Sequence, residues 1–174
     1  MSFFIISQIL VGLAALFDIA SFQFTNRKTL LLTLSISALL IATHFALLEQ
    51  WTAACLLVIG ASRYFAGIFI SDPRMKWLFY LVTVLGTILT FNGITSVLSC
   101  IASLFHTKAS FMHNDKLMRW LMVLGTVVWG AHDIIVGSPV AVLIDMLFII
   151  SSAIGYYRIY IKNTEVIAQQ SSRY

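Results

Sequence analysis

Charge is what this chain has least of. Of 174 residues only 10% are Asp, Glu, Lys or Arg, while 60% are hydrophobic. A soluble domain carries about 25% charged residues, so a water-soluble fold is excluded and an integral membrane protein is expected. Cysteine is scarce too. Cys55 and Cys100 both fall inside apolar segments, outside any CxxC or Cys/His spacing. A disulfide framework or a zinc site from them is not expected, and they read as small buried hydrophobes. The two prolines, Pro73 and Pro139, both sit at turns. No phosphate-binding loop, nucleophile elbow or HExxH motif is present, so no enzyme, catalytic residue, cofactor or metal is expected. The first residues lack a basic stretch and a small-residue cleavage site, so the first apolar run reads as a retained span rather than a signal peptide.

What is present is a series of seven apolar runs. They cover 3–23, 29–48, 51–70, 77–91, 94–112, 117–136 and 140 to about 161. A membrane-spanning helix takes about 20 residues, so the length is used up by seven short spans and no soluble domain fits. Polar punctuation separates them: Asn26-Arg27-Lys28, Glu49-Gln50, Ser71-Asp72-Pro73-Arg74, Asn92-Gly93 and Gly137-Ser138-Pro139. The fifth run is the least apolar, with His106 and Lys108 in its last third. A polar tail, 162–174, follows the last span.

Of the 11 basic residues, ten fall in or near the ends of spans one, three, five and seven and the connections that follow, and the remaining one, Arg63, lies deeper within span three. By the positive-inside rule this predicts an outer N-terminus and a cytoplasmic C-terminus. The same segregation explains the net charge of +4 without nucleic acid. Membrane lipids and a small-molecule solute are the expected partners, with self-association into a homo-oligomer left open.

Sliding the chain on itself by 88 residues aligns Ala14, Leu16 and Phe17 with Ala102, Leu104 and Phe105, and pairs His44 with His132, Ala53 with Ala141 and Gly67 with Gly155. Spans one to three thereby match spans five to seven. The predicted fold is an all-α membrane protein with two parallel three-helix repeats, 1–70 and 94–161, joined by a linker helix, 77–91. Parallel repeats of this kind are a transporter architecture.

In that layout the chain resembles SWEET-type transporters. In its residues it is similar to the YgjV family of bacterial inner-membrane proteins. The likeness rests on Gln8, Arg27, His44-Phe45 in the run HFALL, Arg63, Met118-Arg119, and Trp129 and His132 followed by Gly137-Ser138. It implies an inner-membrane location and carries no activity with it. The paired prolines that hinge the SWEET core helices have no counterpart here, and Trp129 is the nearest match to their pocket residues.

Polar residues inside the spans are the candidate site, because ionisable groups there usually face a bundle interior or a wet cavity. Asp18 and Arg63 each lie eight residues from the cytoplasmic end of their spans, about 12 Å deep, and a structural ion pair between them is expected. Toward the other side, His44 and His132 sit at matching depths of about 7 Å. Trp129 and Asp145 lie somewhat deeper, and Asp133 shares a helical face with Trp129 and His132. These five residues are the candidate substrate-binding set. Trp129 would stack on a flat or sugar-like face, Asp145 would accept hydrogen bonds or a proton, and the histidines titrate near neutral pH. Being adjacent, His132 and Asp133 point about 100° apart and are not expected to form a dyad. The leading functional expectation is a small-solute transporter, sugar-like or metabolite, working by alternating access between the two three-helix units. The alternative is a non-transporting assembly, lipid-binding or signal-binding protein whose buried polar groups only specify packing.

Overall fold

The computed structural model describes residues 3–21, 27–70, 72, 74–112 and 114–156, and among them the chain is entirely helical apart from its connections. Seven helices follow one another: α1 Phe3–Ser21, α2 Arg27–Leu47, α3 Trp51–Phe69, α4 Met75–Leu89, α5 Ile94–Ser110, α6 Asp115–Val136 and α7 Pro139–Tyr156. Each coincides with one apolar run to within a few residues, except that the expected continuation of the last helix to 161, and the tail 162–174, lie outside the described residues.

Local chemistry sets the ends. Helix α6 starts two residues before its apolar run because the Asn114 side chain caps it, accepting a hydrogen bond from Leu117 N at 3.1 Å. It stops at Gly137, whose φ of 73° lies in the left-handed region that glycine enters freely. Pro139 then opens α7 at the position where a missing N–H costs nothing. Helix α2 ends in a comparable turn, with Glu49 at φ 59°. In the first turn Gln50 N donates to Phe45 O at 2.9 Å, and in the second Ser138 N donates to Asp133 O at 3.0 Å.

The distribution of side chains is inverted relative to a water-soluble protein. Large apolar residues such as Leu16, Trp51, Phe69, Trp77, Leu89 and Ile134 are exposed, as a hydrocarbon environment requires. Small polar residues, among them Ser37, Thr52, Thr83, Ser99 and Thr126, are buried. Many of the buried hydroxyls bond backbone carbonyls, as when Ser35 Oγ reaches Ala61 O at 3.0 Å and Ser37 Oγ reaches Ala14 O at 3.2 Å. Such bonds let helices approach closely where apolar burial between helices supplies little. Three helices are long and apolar enough to cross a membrane: Phe3–Ala20, Trp51–Phe69 and Lys116–Val136. The segments Leu31–Leu47, Met75–Leu89 and Pro139–Ile154 are apolar but shorter.

Packing follows a cycle. Helix α2 lies between α1 and α3, and α6 lies between α5 and α7. The two groups of three meet along two seams, α3 against α5 and α1 against α7. Helix α4 leans on α3 and α5 alone. Gly86 permits its close approach to α3, since a Cβ there would lie 3.1 Å from Ile59 Cδ1 and 3.2 Å from Cys55 Sγ. Helices α2 and α6 face each other through side chains, and Phe45 and Trp129 belong to the same core cluster as Ala53, Ala54 and Ala102.

Candidate functional site

The polar group at the end of the molecule formed by the Glu49 and Gly137 turns is assembled from α1, α2, α6 and α7. His44, fully buried, lies near the end of α2. Its Nδ1 is 2.8 Å from Ser7 O on α1. A carbonyl can only accept, so Nδ1 carries the proton and Nε2 accepts from the Ser138 hydroxyl at 3.1 Å. Ser138 reaches that nitrogen because the left-handed Gly137 ends α6 one residue earlier. Gln8 completes the arrangement. Its Nε2 lies 3.3 Å from Ser7 Oγ and 3.5 Å from Ser138 Oγ, and its Oε1 accepts from Val140 N at 3.3 Å. The opposite seam carries a related set, in which the Thr52 and Ser96 hydroxyls meet at 2.7 Å and Ser96 Oγ accepts from Asn92 N at 2.8 Å.

His132 is equally buried but differently held. Its Nδ1 donates to Asp133 Oδ1 at 2.7 Å, and its Nε2 has no partner. Phe45 stands between the two histidines. Its ring centroid is 4.8 Å from that of His44 and 5.1 Å from that of His132, and it stacks on Trp129 at 5.8 Å. Trp129 in turn meets His132 edge-on at 5.1 Å. On the far side of α6 the Asp133 carboxyl faces that of Asp145 on α7 within hydrogen-bonding range. The Asp145 side chain packs on Gly130, where a Cβ would lie 3.5 Å from its Oδ2, and that oxygen is buried without a partner. Asp18 lies within electrostatic reach of Asp145.

All five candidate residues, His44, Trp129, His132, Asp133 and Asp145, therefore belong to one contiguous group. Two expectations are corrected. His132 and Asp133 do bond, because a 100° separation of Cβ directions is bridged by an imidazole long enough to swing its Nδ1 back along the helix. Asp18 and Arg63 do not pair. Helix α2 lies between α1 and α3, so groups at equal depth on those helices face different neighbours. The Asp18 carboxyl lies against the Ser37 hydroxyl on α2, whereas Arg63, 5% exposed, sends its Nη1 to the Thr107 hydroxyl on α5. Sequence reasoning also missed the partners of His44 and the wedge made by Phe45. Gln8, Phe45 and Ser138 stand among the residues that carry the YgjV likeness, which is the one signal that touched them.

His44, Trp129, His132 and Asp133 are buried in this conformation and Asp145 is half-buried. Clefts lie elsewhere, one on the outer face between α2 and α3, lined by residues such as Leu39, Ala46, Trp51 and Cys55, and one between α4 and α5. Among the described residues no cluster of three or more His, Cys, Asp or Glu side chains has the geometry to hold a metal ion. No curated protein and no solved structure matches the chain. A family model described as a bacterial inner membrane protein, Imp-YgjV, matches residues 5–163. The matched segment includes every residue of the polar group, and the chain belongs to the Imp-YgjV family.

Proposed function

We propose that this protein is a small-solute transporter of the bacterial inner membrane in which all seven helices span the bilayer, the C-terminus is cytoplasmic, and two three-helix units rock about the His132–Asp133–Asp145 group. The observation that carries the reading is the pair of buried polar atoms left without partners, Nε2 of His132 and Oδ2 of Asp145. A group that served packing alone would satisfy its atoms, since an unpaired buried polar group costs about 1–3 kcal/mol. Held ready, these atoms suit a solute or a proton that comes and goes. Two carboxyls facing each other in a buried setting cannot both ionise cheaply, so a proton shared between Asp133 and Asp145 would give the group one to exchange.

Duplication of the three-helix unit, in a SWEET-like arrangement, is supported by geometry as well as by matched letters. Under the 88-residue offset the left-handed Glu49 corresponds to the left-handed Gly137. The Gln50–Phe45 bond corresponds to Ser138–Asp133, and the Gln8–Val140 contact at one seam corresponds to Ser96–Thr52 at the other. Asp18 beside Ser37 corresponds to His106 lying over Gly125. Two such units meeting at two seams can part at one end while closing at the other, and the Phe45–Trp129 stack is the plug that must separate.

A second reading has an observation of its own. His44 is fully buried and satisfied on both nitrogens, as a non-transporting assembly, lipid-binding or signal-binding protein would have it. Uptake of a panel of labelled sugars and small metabolites into proteoliposomes decides between them. The transport reading expects uptake by the wild type that is lost in Asp145→Ala and His132→Ala. Equal uptake in all three removes the site, and no uptake by the wild type across the panel favours the second reading.

A further inference from the structure

Asp18 lies against Ser37 on α2 instead, and the Arg63 guanidinium is buried in a hydrophobic span with no acidic counter-charge among the described residues. A charged side chain in that setting is costly unless something anionic pairs with it. Its closest contacts are with uncharged groups. Nη1 donates to the Thr107 hydroxyl, the guanidinium carbon lies 5.0 Å from the centre of the Tyr64 ring, and Nη2 is 3.8 Å from the position a Cβ would take on Gly60. Nε is buried with no partner. The other groups facing it are Tyr80 on α4 and His106 on α5, both within electrostatic reach. Tyr80 also lines a cleft of about 310 Å³ between α4 and α5, whose wall includes Lys76 and Lys108. Two lysines thus flank a cleft that shares Tyr80 with the surroundings of Arg63, and Arg63 has a donor to spare.

We propose that Arg63 and Thr107 form a binding site for a phosphate group, entered through the Lys76–Lys108 cleft. Guanidinium supplies five N–H donors in a planar fork suited to an oxyanion, and the Thr107 hydroxyl, freed from Nη1, donates a further bond. The two lysines at the mouth attract the anion before it is buried. The phosphate belongs either to the headgroup of an anionic lipid or to a free small phosphate. The site is remote from the His132–Asp133–Asp145 group and stands whether or not the protein transports.

The test is thermal unfolding of the full-length protein in nanodiscs of phosphatidylcholine. One arm adds inorganic phosphate against chloride at equal ionic strength, and the other replaces part of the lipid with phosphatidylglycerol. The wild type is expected to gain stability in one arm. A gain with inorganic phosphate identifies a free anion, and a gain only with phosphatidylglycerol identifies a headgroup. Arg63→Gln should lose the response. The double variant Lys76→Gln/Lys108→Gln, which alters side chains at the cleft and not the buried site, should fold normally and need roughly fivefold more ligand for each lysine removed. No response of the wild type in either arm, an undiminished response of Arg63→Gln, or unchanged affinity of the double-lysine variant overturns the proposal. The lysine variant keeps the test decisive if Arg63→Gln fails to fold.

Discussion

His44 and His132 are 88 residues apart, lie at the same level near the ends of α2 and α6, and are both fully buried. Their surroundings differ. His44 is a cross-brace: it ties α1 to the start of α7 by one donated and one accepted hydrogen bond. His132 is tied only to its own neighbour, Asp133, and keeps a bare Nε2. The same residue type at matched positions has been fixed in one half and left uncommitted in the other. What an imidazole does inside a membrane is decided by which helices reach its two nitrogens, and burial alone does not distinguish the two cases.

The comparison can be broken most severely at His44. His44→Ala removes both cross-helix bonds and opens a hole beside Phe45, and a loss of about 3 kcal/mol is expected in reversible unfolding in mixed micelles. His132→Ala should cost about half as much. Equal losses would mean that His132 is as structural as His44.

Next in size is a contrast between α1/α2 and α5/α6. Gly125→Ala drives a Cβ into the His106 imidazole and against Ala102 O, and about 2 kcal/mol should be lost through overpacking. At the corresponding place, Ser37→Ala gives up the bond to Ala14 O and the hydroxyl beside Asp18, which should cost about 1 kcal/mol. The double variant Gly125→Ala/His106→Ala should recover part of the first loss, because the imidazole is what the methyl group meets. Additive losses in that cycle would show that the ring is not the obstacle.

The finest test concerns Ser138. Ser138→Ala leaves His44 Nε2 unpaired at a cost of about 1 kcal/mol. By turning His44 into a second histidine with a bare nitrogen, it asks whether the environment of His132 is sufficient for function. Uptake unchanged in Ser138→Ala and abolished in His132→Ala would assign the solute-facing role to His132 alone.

Much of the architecture could be read in the sequence, because it depends on quantities that run along the chain. Apolar runs and polar punctuation placed all seven helices, and residue counts from the turns put His44, Trp129, His132 and Asp145 within reach of one another. What could not be read was the arrangement around the bundle. Depth matched Asp18 to Arg63, but depth says nothing about which helices adjoin, and α2 separates the pair. The same blindness hid the bond between Gln8 and Val140 and the insertion of Phe45 between the histidines, since both depend on which faces of α1, α2, α6 and α7 are turned inward. Gly125 illustrates a further limit. Its lack of a side chain matters only because His106 on another helix occupies the space.

Helix α4 gives the molecule a spine. It is bound to α3 and α5 and to no other helix, so it spans one seam between the two groups of three and leaves the α1–α7 seam uncovered. If the halves move apart, they would swing like the boards of a book, least at the α3–α5 edge and most at the α1–α7 edge. Gln8, Ser138 and Asp145 lie along the edge that would open. Arg63 and Thr107 lie at the binding, where whatever they hold would stay put while the pages turn.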